Sequence, residues 1–171
     1  MTKKINRRAF TLVELLVVIA IIGLLSTVAV VATKSSGSKS RDTKRKADLV
    51  QISKALELYY ATNNSYPSTG GAWQGNCSTY GSLPDSGAGA WIPNFTAYMA
   101  QLPHDPDTGK PRVSCLAVPT WACYLYRSDD GRDYKILAHC TPENGPASTD
   151  PFYDPYHGGS FSLYTPGAAS W

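Results

Sequence analysis

The sequence predicts an α+β fold, with one long N-terminal helix whose second half packs on a small antiparallel sheet. Three observations predict it. Leu15 to Ala32 is a run of eighteen residues without a charge. A helical stripe of Leu49, Ile52, Leu56 and Tyr59 follows, at spacings of three, four and three. Beyond residue 67, short alternating segments are punctuated by Gly, Pro and Asp-rich turns.

Charge divides the chain in the same places. Residues 1–9 carry Lys3, Lys4, Arg7 and Arg8 and no acid. Residues 34–54 carry seven bases against two acids, and from residue 55 onward five bases face ten acids, a net of −5. A basic start, a basic collar and an acidic body describe an oriented molecule. They exclude a uniformly basic nucleic-acid binder, because phosphate contacts need Lys and Arg.

The elements follow in order. Residues 1–9 read as a short basic leader. Residues 10–33 read as a transmembrane helix, since Phe10 to Val13 extends the uncharged run to spanning length. The leader bases keep residues 1–9 in the cytoplasm and send the tail out. A secretory signal would have a shorter apolar region ending in a small-residue cleavage site. Neither that reading nor a plain anchor explains Glu14, a carboxylate that costs about 2.5–3.5 kcal/mol at the centre of a membrane span unless it finds a partner.

Residues 34–66 continue the helix onto the head. The polar stretch 33–40, with Gly37, is a kink or soft join. If it stays helical, residues 10–61 make a rod of about 75 Å. Asn63-Asn64 and Tyr66-Pro67 end it. The collar at 39–46 is expected at lipid headgroups.

Residues 67–171 form a loop-rich head. Phe95 to Leu102 reads as a short helix with Phe95, Tyr98, Met99 and Leu102 on one face. Arg112 to Val118 and Trp121 to Arg127 read as a hairpin around Pro119-Thr120. Asp133 to Cys140 is the next strand, with Tyr134, Ile136 and Ala138 on one face and Lys135, Leu137 and His139 on the other. Ser160 to Tyr164 adds another.

The four cysteines all lie in the head and allow three connectivities. Disulfides fit an exported domain. Cys115 and Cys123 are symmetric about Pro119 in the expected hairpin, which favours Cys115–Cys123 and leaves Cys77–Cys140. Catalysis has no constellation. His104 sits in a turn, His139 at a strand end and His157 in a loop, none at catalytic spacing. No cofactor is expected beyond calcium, for which the oxygen-rich loops Asp105-Pro-Asp107 and Asp129-Asp130-Gly131-Arg-Asp133 are the candidates. Turn chemistry accounts for the same residues.

Residues 7–14, Arg-Arg-Ala-Phe-Thr-Leu-Val-Glu, followed by an apolar helix, resemble the prepilin N-terminus of type IV pilins and type II secretion pseudopilins. Residues 41–67, from Lys-Ala-Asp-Leu-Val-Gln-Ile-Ser to Asn-Ser-Tyr-Pro, are similar to the second half of such helices and their exit loop. The resemblance implies a pilin-like fold and a prepilin peptidase that cuts between Ala9 and Phe10 and methylates the new Phe10 amine. It implies that Glu14 meets the amine of a neighbouring Phe10 during assembly. The family usually has Gly at the position of Ala9. Many members carry a proline where this chain has Val31, so Gly23 is the weak point of the apolar helix here. The implied partners are other copies of the chain, related pilins, the peptidase and a membrane assembly platform. The implied location is the cytoplasmic membrane with the head outside, then a surface or periplasmic filament. A minor pilin that binds DNA, a surface or cargo at a filament tip is the alternative.

Overall fold

The structure, a computed structural model, describes residues 10–112, 120–140, 143 and 145–171, and the side chains of these except residues 27–35, 111, 112, 120 and 121. It divides into two compact units at Gly37/Ser38.

One helix, α1, runs from Leu12 to Asn63, so the polar stretch at 33–40 is helical. Its start carries a capping box, in which Thr11 and Glu14 satisfy each other's main-chain N–H groups. Its end is set by Asn64, whose φ of 53° is left-handed and whose N–H closes on the Tyr60 carbonyl at 2.8 Å.

In the first unit the apolar side chains from Phe10 to Leu25 are exposed, Phe10 at 81% and Leu24 at 69%. Among the described residues, no helix is long and apolar enough to cross a membrane. The described side chains of the uncharged run stop at Ser26, and the rest, to Ala32, lies outside them.

The second unit is α1 from Ser38 onward, a sheet and the loops that cover it. The sheet has four antiparallel strands: β1 (Gln74–Gly75), β4 (Cys123–Arg127), β5 (Lys135–His139) and β6 (Phe161–Tyr164), in that spatial order. β2 (Pro111–Arg112) and β3 (Thr120–Trp121) form a separate antiparallel pair. The β4–β5 register pairs Tyr124 with Ala138 and Tyr126 with Ile136. The Ser128–Gly131 turn joins them, and Gly131, at φ 82°, brings its carbonyl to the Tyr66 N–H at 2.7 Å. The hairpin tip is thereby fastened to the helix exit.

The predicted stripe is the buried face of α1. Leu49, Ile52, Ala55 and Leu56 pack in one core with Tyr124, Tyr126, Tyr134, Ile136, Ala138 and Phe161. Each large aliphatic side chain there contributes about 1.5–3 kcal/mol. The opposite face of the sheet is buried too, with Cys77, Cys123, Leu125 and Leu137 beneath Trp73 and Tyr80. All five residues of β5 are therefore buried.

Two expectations are corrected. Trp121 to Arg127 is not one strand. Ala122 separates β3 from β4 and donates its N–H to the Lys110 carbonyl at 3.2 Å, so β3 pairs with β2 while β4 lies between β1 and β5. Val113 to Pro119 lies outside the described residues. Phe95 to Leu102 forms turns rather than a helix, since Tyr98 and Met99 both donate to the Phe95 carbonyl and the ladder ends there. Its apolar face is as expected, with Phe95 and Leu102 buried and Tyr98 and Met99 packed against them.

Candidate functional site

The first candidate region is the start of α1. Ala9 lies outside the described residues, and Phe10 is exposed. Glu14 Oε2 accepts from the Thr11 N–H and hydroxyl, both at 2.8 Å. The Thr11 hydroxyl in turn accepts from the Glu14 N–H at 3.2 Å. The signal for this was present as Thr-x-x-Glu before an apolar run. A Cβ added at Gly23 would meet nothing within 4 Å, so no packing contact requires glycine there.

The second region is the collar. Four of its five bases, Arg41, Lys44, Arg45 and Lys46, are answered by carboxylates of the second unit, while Lys39 is exposed. Arg45 is fully buried. Its guanidinium donates to Asp105 at 2.7 and 3.0 Å, to Asp42 at 2.7 Å and to Asp107 at 2.9 Å. Burial works against its charge, yet the bonds to Asp105 and Asp42 outweigh it and hold its pKa above the ordinary arginine range. Arg41 pairs with Glu143, Lys44 with Asp48 and Lys46 with Asp150. The Glu143 N–H donates to both oxygens of Asp42 at 3.2 Å. The Tyr124 hydroxyl donates to Asp48 at 2.7 Å, and burial, then Asp48, raises its pKa.

The calcium candidates are engaged by protein donors. Asp105 and Asp107 belong to the Arg45 cluster, and Asp107 also takes Lys110 at 2.7 Å. Asp105 accepts the Asp107 N–H at 2.8 Å, a local turn bond. Asp129 takes Arg127, and Asp130 takes Arg132. Asp133 accepts from the Thr165 hydroxyl and the Gly167 N–H. Among the described residues no group of three or more His, Cys, Asp or Glu side chains is arranged to hold a metal ion.

The cysteine pairing is corrected. Cys77 is bonded to Cys123, with Cα atoms 5.8 Å apart. Cys123 opens β4, whose edge faces β1 and the turn after it, and this brings Cys77 alongside. Cys140 is also disulfide-bonded, and Cys115 lies outside the described residues. Among the described residues each of the three histidines has its own partner. His104 is exposed, 3.9 Å from Asp85. His139 is buried, with Nε2 at 3.3 Å from the Tyr80 hydroxyl and no partner for Nδ1. His157 leans on Asp154 at 3.3 Å.

Residues 4–30 match the family model described as the prokaryotic N-terminal methylation motif. The type II secretion system core protein G of Escherichia coli strain K12 is 33% identical over 101 residues, 59% of this chain and 67% of that protein. The chain belongs to this core protein G family. The family's representative from Klebsiella michiganensis is 32% identical over 104 residues, 61% of this chain and 70% of that protein. A type IV wide pilus major component, PilA4 of Thermus thermophilus, is 41% identical over 63 residues, 37% of this chain and 48% of that protein. The chain spans from 41% to 70% of the length of such relatives. No solved structure matches it. The long helix and small antiparallel sheet give this family member an α+β, pilin-like architecture.

Proposed function

We propose that this chain is a structural subunit of a type II secretion pseudopilus or a type IV pilus. It is made as a membrane-anchored precursor with residues 1–9 on the cytoplasmic side and the head outside. Prepilin peptidase cuts between Ala9 and Phe10, and the new Phe10 amine is methylated. The subunit then polymerises with its own copies and related pilins at a membrane assembly platform.

The observation that carries this reading is the position of the methylation motif. It falls on residues 4–30, at the start of a helix whose apolar side chains are exposed along its length from Phe10 to Leu25. A continuous exposed apolar surface calls for lipid or other apolar helices to cover it. Glu14 sits inside that surface. A carboxylate and an ammonium taken out of water each cost several kcal/mol alone and much less as a pair. Pairing of Glu14 with the Phe10 amine of a neighbour therefore sets axial register as subunits enter the filament. Gly23, with low helix propensity and no contact to satisfy, is where the apolar helix loosens if it must bend during assembly.

The test is the intact mass and N-terminal sequence of the protein in sheared surface or periplasmic filament material, from wild type and Glu14→Ala. The expected wild-type chain begins at methylated Phe10, and the variant remains in the membrane fraction. An uncut chain retained in the membrane in both strains would reduce the protein to a single-pass anchor.

A further inference from the structure

The face of the sheet turned away from α1 holds a fully buried lysine. Lys135 opens β5, the strand that pairs on both sides. Its side chain and that of Asp154 are both 0% exposed. The ammonium has four oxygens around it: Asp154 Oδ1 at 3.0 Å and Oδ2 at 2.9 Å, the Trp171 main-chain oxygen at 2.8 Å and the Ala169 carbonyl at 3.3 Å. The rings of Tyr164 and Tyr156 flank it, with centroids at 4.9 and 6.0 Å. Asp154 is itself fixed by the N–H groups of Tyr156 and His157. Three stretches of chain that are not neighbours in sequence thus meet on one positive charge.

A carboxylate and two main-chain oxygens converging on one charge are the donor set of a hard-cation site. Here the cation is covalently part of the chain. The acidic loops follow the same rule, since the candidate calcium ligands Asp105, Asp107, Asp129, Asp130 and Asp133 are all held by arginines, a lysine, a hydroxyl or a main-chain N–H. We infer that Lys135 is the head's built-in cation, which clasps the Asp154 turn and the segment 165–171 to β5 and closes the distal head without a bound metal. Arg127 supports the same closure. Its guanidinium lies over the Trp171 ring at 4.8 Å while its Nε holds Asp129 at 2.9 Å.

The clasp has a local readout. Ala168, Ala169 and Trp171 donate their N–H groups to Thr165, Pro166 and Ala168 within the clasped segment, at 2.9, 3.4 and 3.2 Å. The test uses the full chain in detergent and compares wild type with Lys135→Met by thermal unfolding and amide hydrogen exchange, each with excess EDTA and with excess calcium chloride. The wild-type midpoint should be unmoved by either addition. Lys135→Met should lower it by roughly 10 °C. Exchange at Ala168, Ala169 and Trp171 should quicken about tenfold or more, while the β4–β5 amides stay protected. If Lys135→Met does not fold, Asp154→Asn is measured instead. It leaves the ammonium its two main-chain acceptors and should loosen the same three amides to a smaller degree. A wild-type midpoint lowered by EDTA, or exchange in the segment unchanged in the variant that folds, would overturn the inference.

Discussion

Arg45 and Asp105 form a two-pronged buried pair across sixty residues of sequence, with Nε to Oδ2 at 2.7 Å and Nη2 to Oδ1 at 3.0 Å. The pair joins α1 to the loop after Leu102 at a point from which water is excluded. Asp42 and Asp107 complete the ring of acceptors. One buried guanidinium thus holds three carboxylates in place.

Removing that cation should cost more than removing one anion. Arg45→Met leaves Asp42, Asp105 and Asp107 facing one another without the guanidinium that joins them. Breaking a buried ionic group this way costs about 3–5 kcal/mol. Asp105→Asn keeps the shape and one acceptor and should cost less. Denaturant unfolding of the two variants orders them. Equal losses would mean that the cluster contributes through shape rather than charge.

The Tyr124 hydroxyl is a smaller part of the same seam. It donates to Asp48, which also takes Lys44 at 2.6 Å. Tyr124→Phe keeps the ring in the core and removes one bond to a charged acceptor, a loss of about 1.5–3 kcal/mol. The variant should unfold at lower denaturant with an unchanged m-value.

Acid should destabilise the head in two steps. Burial, reinforced by His157, holds the His139 pKa down to about 4, below its ordinary 6.5. The folded state keeps this imidazole neutral while the unfolded chain takes up a proton. Stability is therefore complete above about pH 6.5 and falls as pH drops toward 4, by on the order of 3 kcal/mol. Burial would raise the pKa of Asp154, but its bonds from His157 and Lys135 win and lower it to about 2 from 3.8. Its contribution is present above pH 3.8 and is lost as pH falls from there toward 2. His139→Gln should flatten the first step and leave the second, as read from unfolding midpoints from about pH 2 to about pH 8.

Much of this was legible in the sequence, where the signal is local. The stripe Leu49, Ile52, Leu56 and the Asp129-Asp130-Gly131 turn depend on neighbours within one element, and both stand as read. The collar was not legible. Arg45 and Lys46 look solvated in sequence because their acceptors, Asp105 and Asp150, lie 60 and 104 residues away. Lys135 and His139 were misleading for a related reason. Alternation places them opposite Ile136 and Ala138, but cannot say that Trp73 and Tyr80, on a loop more than fifty residues earlier, cover part of that face. β1 is only two residues long, too short for a periodicity, yet its pairing with β4 decides which cysteine Cys123 meets.

That last point gives a covalent prediction. Peptide mapping without reduction should recover Cys77 joined to Cys123, not Cys115 joined to Cys123. The bridge spans 46 residues, a loop long enough for cross-linking to stabilise by about 2–4 kcal/mol, mainly by restricting the unfolded chain. The Cys77→Ala, Cys123→Ala double variant should lose about that much, with the first loosening in the Trp73–Tyr80 cover. Gly75 offers an independent check on the same edge. A Cβ there would stand 2.6 Å from the Leu125 side chain and 2.7 Å from the Tyr124 carbonyl oxygen, and the carbonyl is strand backbone that cannot swing aside. Gly75→Ala should therefore push β1 off β4, at about 1–3 kcal/mol, and slow disulfide formation on refolding. If the variant oxidised at the wild-type rate with unchanged stability, β1 would not be what brings Cys77 to Cys123.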